Sequence, residues 1–204
     1  MKIKIHYSFY ILLFLSVFSG LYKELLVMLI SIGIHEGFHI VVGFLFKCKI
    51  NSIIFTLVGG IVSIEIINLS IFKEIIVNIS GVIANVLLII LAYYIDFGDY
   101  DKLIIEYNKL LILFNILPIY PLDGFRIIET LFKKSEKIKR TYNNLVIMSN
   151  VFLTILFIYA ILNTSFGLLI ISFFLLYKNI TLIYMKNNII LRKIVENARL
   201  EWKK

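Results

Sequence analysis

Apolar runs close to the length of a bilayer crossing recur along the whole chain, and this feature decides most of what it can fold into. Read by hydropathy, six stretches qualify: Ile5 to Tyr22, Leu25 to Phe46, Ile75 to Ile95, Leu103 to Ile119, Leu145 to Leu162 and Phe166 to Tyr184. In hydrocarbon every backbone N–H and C=O must be satisfied within its own segment, so such runs are helices. With 60% hydrophobic residues, 17% charged and a mean hydropathy of +0.94, the chain cannot build a water-facing surface. The expectation is an all-α membrane protein of about six transmembrane helices. Residues 1–185 form one polytopic domain and residues 186–204 a basic cytoplasmic tail. The lone Cys48 excludes a disulfide scaffold and a cysteine-only metal site.

The net charge of +8 matters through its distribution. Of 21 Lys and Arg residues, 17 fall on one side of this layout: Lys2 and Lys4, then Lys47, Lys49 and Lys73, then six between spans four and five and six in the tail. Lys23, Lys102 and Lys109 fall on the other side, and Lys178 lies inside the last span. By the positive-inside rule both termini are cytoplasmic in a multi-pass protein of the cell membrane, and the acidic loop from Asp96 to Asp101 faces outward. The basic charge is thus accounted for by the bilayer, and no nucleic-acid partner is expected. The first run follows Lys2 and Lys4 as in a signal peptide, but no small-residue cleavage site precedes Lys23-Glu24, so it reads as an uncleaved anchor.

Two stretches depart from the pattern. Residues Ile50 to Ile66 are rich in β-branched side chains and interrupted by Gly59-Gly60, which predicts a short β-hairpin after the second span, able to offer an edge strand. From Lys186 onward, Leu191, Ile194, Val195, Ala198 and Trp202 recur at helical spacing among Arg192, Lys193, Arg199, Lys203 and Lys204. That predicts an amphipathic C-terminal helix on the inner leaflet.

The chemistry centres on His35-Glu36-Gly37-Phe38-His39, an H-E-x-x-H pattern within span two. A shuffled chain with 3 His and 9 Glu in 204 residues would hold it only about 0.002 times, so chance is a poor explanation. The i, i+4 spacing puts both imidazoles on one helix face, where they can share one Zn²⁺, while Glu36 is offset and suits a general base acting on water. Ionisable groups near the middle of a span are costly unless paired or wetted, which marks the trio as functional. A helix-packing histidine pair would need a neighbouring span to satisfy Glu36. Axial haem ligation usually draws ligands from different helices and leaves Glu36 unexplained.

A catalytic zinc keeps three protein ligands and an open position, so a third ligand is needed. Asp123 is the best candidate, in the sequence Asn115-Ile116-Leu117-Pro118-Ile119-Tyr120-Pro121-Leu122-Asp123-Gly124 that ends span four; a turn aspartate before Gly124 is the other reading. His35-Glu36-x-x-His39 together with Asn115-x-x-Pro118-x-x-Pro121-Leu122-Asp123-Gly124 resembles the site-2 protease family of intramembrane zinc metalloproteases, and the six-span layout is similar to its stage IV sporulation protein FB branch. The resemblance implies one zinc per chain on His35, His39 and Asp123, Glu36 as catalytic base, and cleavage within or beside a transmembrane segment of a membrane-associated protein substrate. A membrane regulatory partner is compatible with it. Ser80-Gly81-Val82-Ile83-Ala84-Asn85 resembles the family's third-span segment, with Val82 where a proline is common, and would put Asn85 near the site. Asn85 and Asn115 are candidates to hold the substrate backbone, with hydrogen bonding between helices as the other reading, and Gly59 and Gly60 mark the hairpin that could hold the substrate as an added strand. The rival class is a metal-binding transporter using His35, Glu36, His39 and Asp123 as a transit site. A permeation path should place polar groups at successive depths on several spans, whereas these cluster at one level.

Overall fold

The computed structural model describes residues 2–5, 14, 20–56, 59–65, 69–132 and 138–201. The chain forms two compact units, Met1–Asn115 and Ile116–Lys204. Among the described residues, four helices are long and apolar enough to cross a membrane: Tyr22–Leu45, Ile71–Tyr94, Lys139–Leu162 and Phe166–Leu191.

In the first unit, strand β1 (Lys2–Ile5) pairs parallel with β2 (Lys49–Thr56), which pairs antiparallel with β3 (Gly59–Glu65) in the order β1-β2-β3. Gly59 and Gly60 lie within β3, opposite Thr56 and Phe55, rather than at the turn. Ile5 ends a strand instead of opening a helix, and most of the rest of the first apolar run lies outside the described residues.

Helix α1 (Tyr22–Leu45) packs against α2 (Ile71–Tyr94). His39 meets Val77 and His35 meets the space before Gly81, so the two helices run antiparallel. Helix α2 begins four residues before the hydropathy boundary because Ser70 caps it, its hydroxyl accepting the Lys73 N–H at 3.4 Å. A 3₁₀ turn (Gly98–Tyr100) leads into α3 (Asp101–Ile116). At 1.5 Å per residue, the 16 residues of α3 rise about 24 Å, short of the roughly 30 Å hydrocarbon core. Lys102, Glu106, Asn108 and Lys109 dilute its apolar character, and Pro118 stops it, so the six-helix count is not supported by the described residues.

The second unit starts with the loop Leu117–Leu122 and a short helix α4 (Asp123–Leu131), followed by α5 (Ile138–Leu162) and α6 (Phe166–Glu201). Helices α5 and α6 pack together, with Phe125, Tyr142, Leu145, Val146, Leu182 and Ile190 in one apolar cluster and Ile119, Leu153 and Leu175 in another. Helix α6 runs unbroken for 36 residues, so the expected basic tail continues the last spanning helix rather than forming a separate element.

The distribution of polarity is that of a membrane protein. Buried positions include Ser31, His35, His39, Asn78, Ser80, Asn85 and Asn108 in the first unit and Asp123, Ser149, Ser172 and Asn179 in the second. Large apolar side chains such as Val41, Phe44, Tyr94, Ile155, Leu162 and Phe173 face outward. In lipid, helices gain nothing by hiding Leu from its surroundings, and the interior goes to small and hydrogen-bonding residues.

Candidate metal centre

His35 and His39 are 4% exposed each and lie one turn apart on the inner face of α1. Their rings meet edge to face with centroids 4.9 Å apart and Nε2 atoms 3.3 Å apart. That is a hydrogen-bond distance, and it is also the separation of two nitrogens held about 2.05 Å from one tetrahedral ion, which geometry puts at about 3.3 Å. The spacing of the pair is therefore compatible with a shared metal ion.

The orientation of His39 is fixed from behind. Its Nδ1–H donates to the Val77 carbonyl at 2.7 Å, and the Ser80 hydroxyl, 3.2 Å from the same nitrogen, also donates to that carbonyl at 2.7 Å. A backbone acceptor on Nδ1 selects the tautomer whose Nε2 carries a lone pair, as a metal-ligating imidazole requires.

Gly81 makes room for the centre. A Cβ at this position would lie 2.6 Å from His35 Nε2 and nearer still to His39 Nε2, so any larger residue would fill the space in front of both Nε2 atoms. Val77, Ser80 and Gly81 complete the centre, and sequence reasoning gave them no role in it. Their visible signal was a small pair, Ser80-Gly81, inside an apolar span, the composition of a close helix crossing.

The remaining candidates fall in different places. Glu36, adjacent on α1, is half-buried. Asn85 lies one turn beyond Gly81 on α2, is 0% exposed, and neither its amide nitrogen nor its amide oxygen has a hydrogen-bond partner among the described residues. Asn115 donates to Leu111 O at 3.0 Å within its own helix. In the second unit Asp123 is 5% exposed at the first position of α4, where a carboxylate is favoured by the helix dipole. Gly124 is pressed against the Ile116 and Leu117 carbonyls, with a Cβ there falling 2.6 Å from Leu117 O, so the residue after Asp123 has to be glycine. Two imidazoles and a carboxylate, here all buried, are a donor set that could hold a metal ion.

No protein-family model matches the sequence. Over 148 residues, 70% of this chain, the sequence is 28% identical to stage IV sporulation protein FB of Bacillus subtilis (strain 168). The chain spans about half the length of that curated relative, 51%. The fold is similar to that of a site-2 protease from Methanocaldococcus jannaschii, with a TM-score of 0.65 over 89% of this chain and 91% of the other at 20% sequence identity. In fold the chain is thus similar to a site-2 protease, and in sequence to stage IV sporulation protein FB, the two likenesses that its motifs suggested.

Proposed function

We propose that this chain is an intramembrane zinc endopeptidase that cleaves membrane-associated proteins within or beside a transmembrane segment. The observation that carries the reading is the buried imidazole pair, with Nε2 atoms 3.3 Å apart before the gap that Gly81 leaves. In this reading His35, His39 and Asp123 bind one Zn²⁺ per chain, which when bound supplies Lewis acidity and lowers the pKa of water toward about 7. Val77 and Ser80 hold the His39 ring in its binding tautomer. Glu36 takes a proton from the attacking water as the C–O bond forms and then passes it to the amine nitrogen, after which the peptide C–N bond breaks.

A peptide bond in an intact transmembrane helix is shielded by its hydrogen bonds, and the substrate has to unwind before attack. Strand β3, one of the two edges of the described sheet and the one that carries Gly59 and Gly60 at its start, is the strand on which an unwound segment would add. Asn85 supports this role further, since a buried amide without partners among the described residues is costly until something occupies it. Asn115 is the second candidate for holding substrate backbone. The charge asymmetry supports an even number of crossings with both termini cytoplasmic, a membrane domain over residues 1–185 and a basic stretch over residues 186–204 on the inner leaflet.

Elemental analysis of the purified protein tests the metal. Wild type should carry about one zinc per chain and the double variant His35→Ala/His39→Ala none. Full occupancy in the double variant would remove the basis of the proposal.

A further inference from the structure

In the second unit, two buried polar side chains in otherwise apolar helices act on the loop that carries Asp123. Ser149 on α5 and Asn179 on α6 are both 0% exposed. The Tyr120 backbone N–H donates to Ser149 Oγ at 3.0 Å, and the Tyr120 carbonyl accepts from Asn179 Nδ2 at 3.0 Å. Ser149 Oγ–H in turn donates to Asn179 Oδ1, and the second Asn179 N–H goes to Leu175 O at 3.0 Å. The result is a closed ring of hydrogen bonds around one peptide residue, with every donor and acceptor of Asn179 used.

A buried Ser in an apolar helix does not need such a partner. Ser172, also 0% exposed, satisfies itself on Leu168 O one turn back at 2.7 Å. Ser149 and Asn179 instead reach out to Tyr120, whose backbone groups lie outside any helix and would otherwise be orphaned in a buried setting. Only Pro121, with its φ fixed, and Leu122, packed on the Ile119 cluster, separate Tyr120 from Asp123. On the other side Gly124 abuts the Ile116 and Leu117 carbonyls. The carboxylate is thus carried on a short, stiff arm whose base is held by two helices.

We infer that Ser149 and Asn179 are positioning residues: they clamp the Tyr120 peptide and so set where the Asp123 carboxylate sits, an inference that rests on the zinc reading above. Outer groups that orient ligands commonly account for 10- to 100-fold in metal affinity. The test uses the full chain in detergent, with zinc affinity measured by chelator competition and the ligand field read from the visible absorption of the Co²⁺-substituted protein. Ser149→Ala and Asn179→Ala should weaken zinc about tenfold or more and alter the Co²⁺ bands in the same direction as Asp123→Ala. Ser149→Thr, which keeps the hydroxyl, should retain wild-type affinity, and so should Ser172→Ala, which deletes a buried hydroxyl that does not touch the loop. Ser149→Ala removes a single oxygen and carries the test alone if Asn179→Ala does not assemble. Wild-type affinity and spectrum in Ser149→Ala, or equal weakening in Ser172→Ala, would overturn the clamp while leaving the zinc reading in place. A wild type that takes up no zinc, or an Asp123→Ala variant indistinguishable from it, would overturn the reading and the clamp with it.

Discussion

Replacing Gly81 with alanine adds one methyl group at the point where α2 faces the two imidazoles. Ordinary contact for such a carbon begins at 3.4 Å, and the new Cβ would stand 2.6 Å from His35 Nε2, about 0.8 Å too close. Metal–ligand distances tolerate deviations of about 0.2 Å. Either the rings turn away, which moves their nitrogens several times beyond that tolerance, or the helices part, which takes the Val77 carbonyl from His39 Nδ1 and frees that ring to turn. A displacement near 1 Å in a catalytic constellation costs roughly 10²-fold, so Gly81→Ala should lose zinc affinity and cleavage by about that factor. The helix itself should not suffer, because Ala is favoured over Gly in a helix interior by about 1 kcal/mol. Circular dichroism and chelator competition on the same sample separate the two effects. Retained helicity with at least tenfold weaker zinc is the expected result; wild-type zinc affinity in Gly81→Ala would refute the close approach on which the centre is built.

Gly37→Ala is the matched control: a Cβ there meets nothing within 4 Å, so zinc affinity should stay within about threefold of wild type despite its place inside the histidine motif. Gly124→Ala drives a Cβ into the Ile116 and Leu117 carbonyls, which are backbone and cannot swing aside, and should reduce zinc binding and raise proteolytic sensitivity in the segment 117–123, measured by limited proteolysis. For topology, a cysteine placed in the loop from Asp96 to Asp101 should be labelled by an impermeant reagent from outside intact cells, and one between Lys133 and Arg140 should not. The opposite labelling pattern would invert the orientation.

What the sequence disclosed follows from the range over which each signal acts. The helical spacing of His35 and His39 is local, and α1 delivers it: both imidazoles share a face and a centre. Hydropathy located the cores of α1, α2, α5 and α6 but not their ends. Helix α5 starts at Ile138, well before Leu145, because Lys139, Arg140, Asn143 and Asn144 are compatible with a helix though not with the middle of a bilayer. Helix α6 likewise continues through its basic residues to Glu201. The strand at Lys2–Ile5 was invisible, since its partner is β2, more than forty residues away, and an alternating Lys-Ile pattern beside an apolar run reads as the flank of a span. The roles of Gly81, Ser149 and Asn179 were hidden for the same reason. Each is a small or polar residue within a mainly apolar helix, and what it does depends on which helix or loop comes to face it.

The central claim, a zinc peptidase with a carboxylate base, is tested most directly by Glu36→Gln. The amide keeps the size of the side chain but cannot take a proton, so the variant should retain about one zinc per chain and wild-type folding while losing cleavage by roughly 10²- to 10⁴-fold. The measurement is co-expression of either form with a library of tagged single-span membrane proteins, alongside zinc analysis of each purified form. Fragments that appear with wild type and vanish with Glu36→Gln at unchanged zinc content are the predicted result. Fragments produced equally by both forms, or zinc lost from Glu36→Gln with folding intact and no cleavage by either, would contradict it.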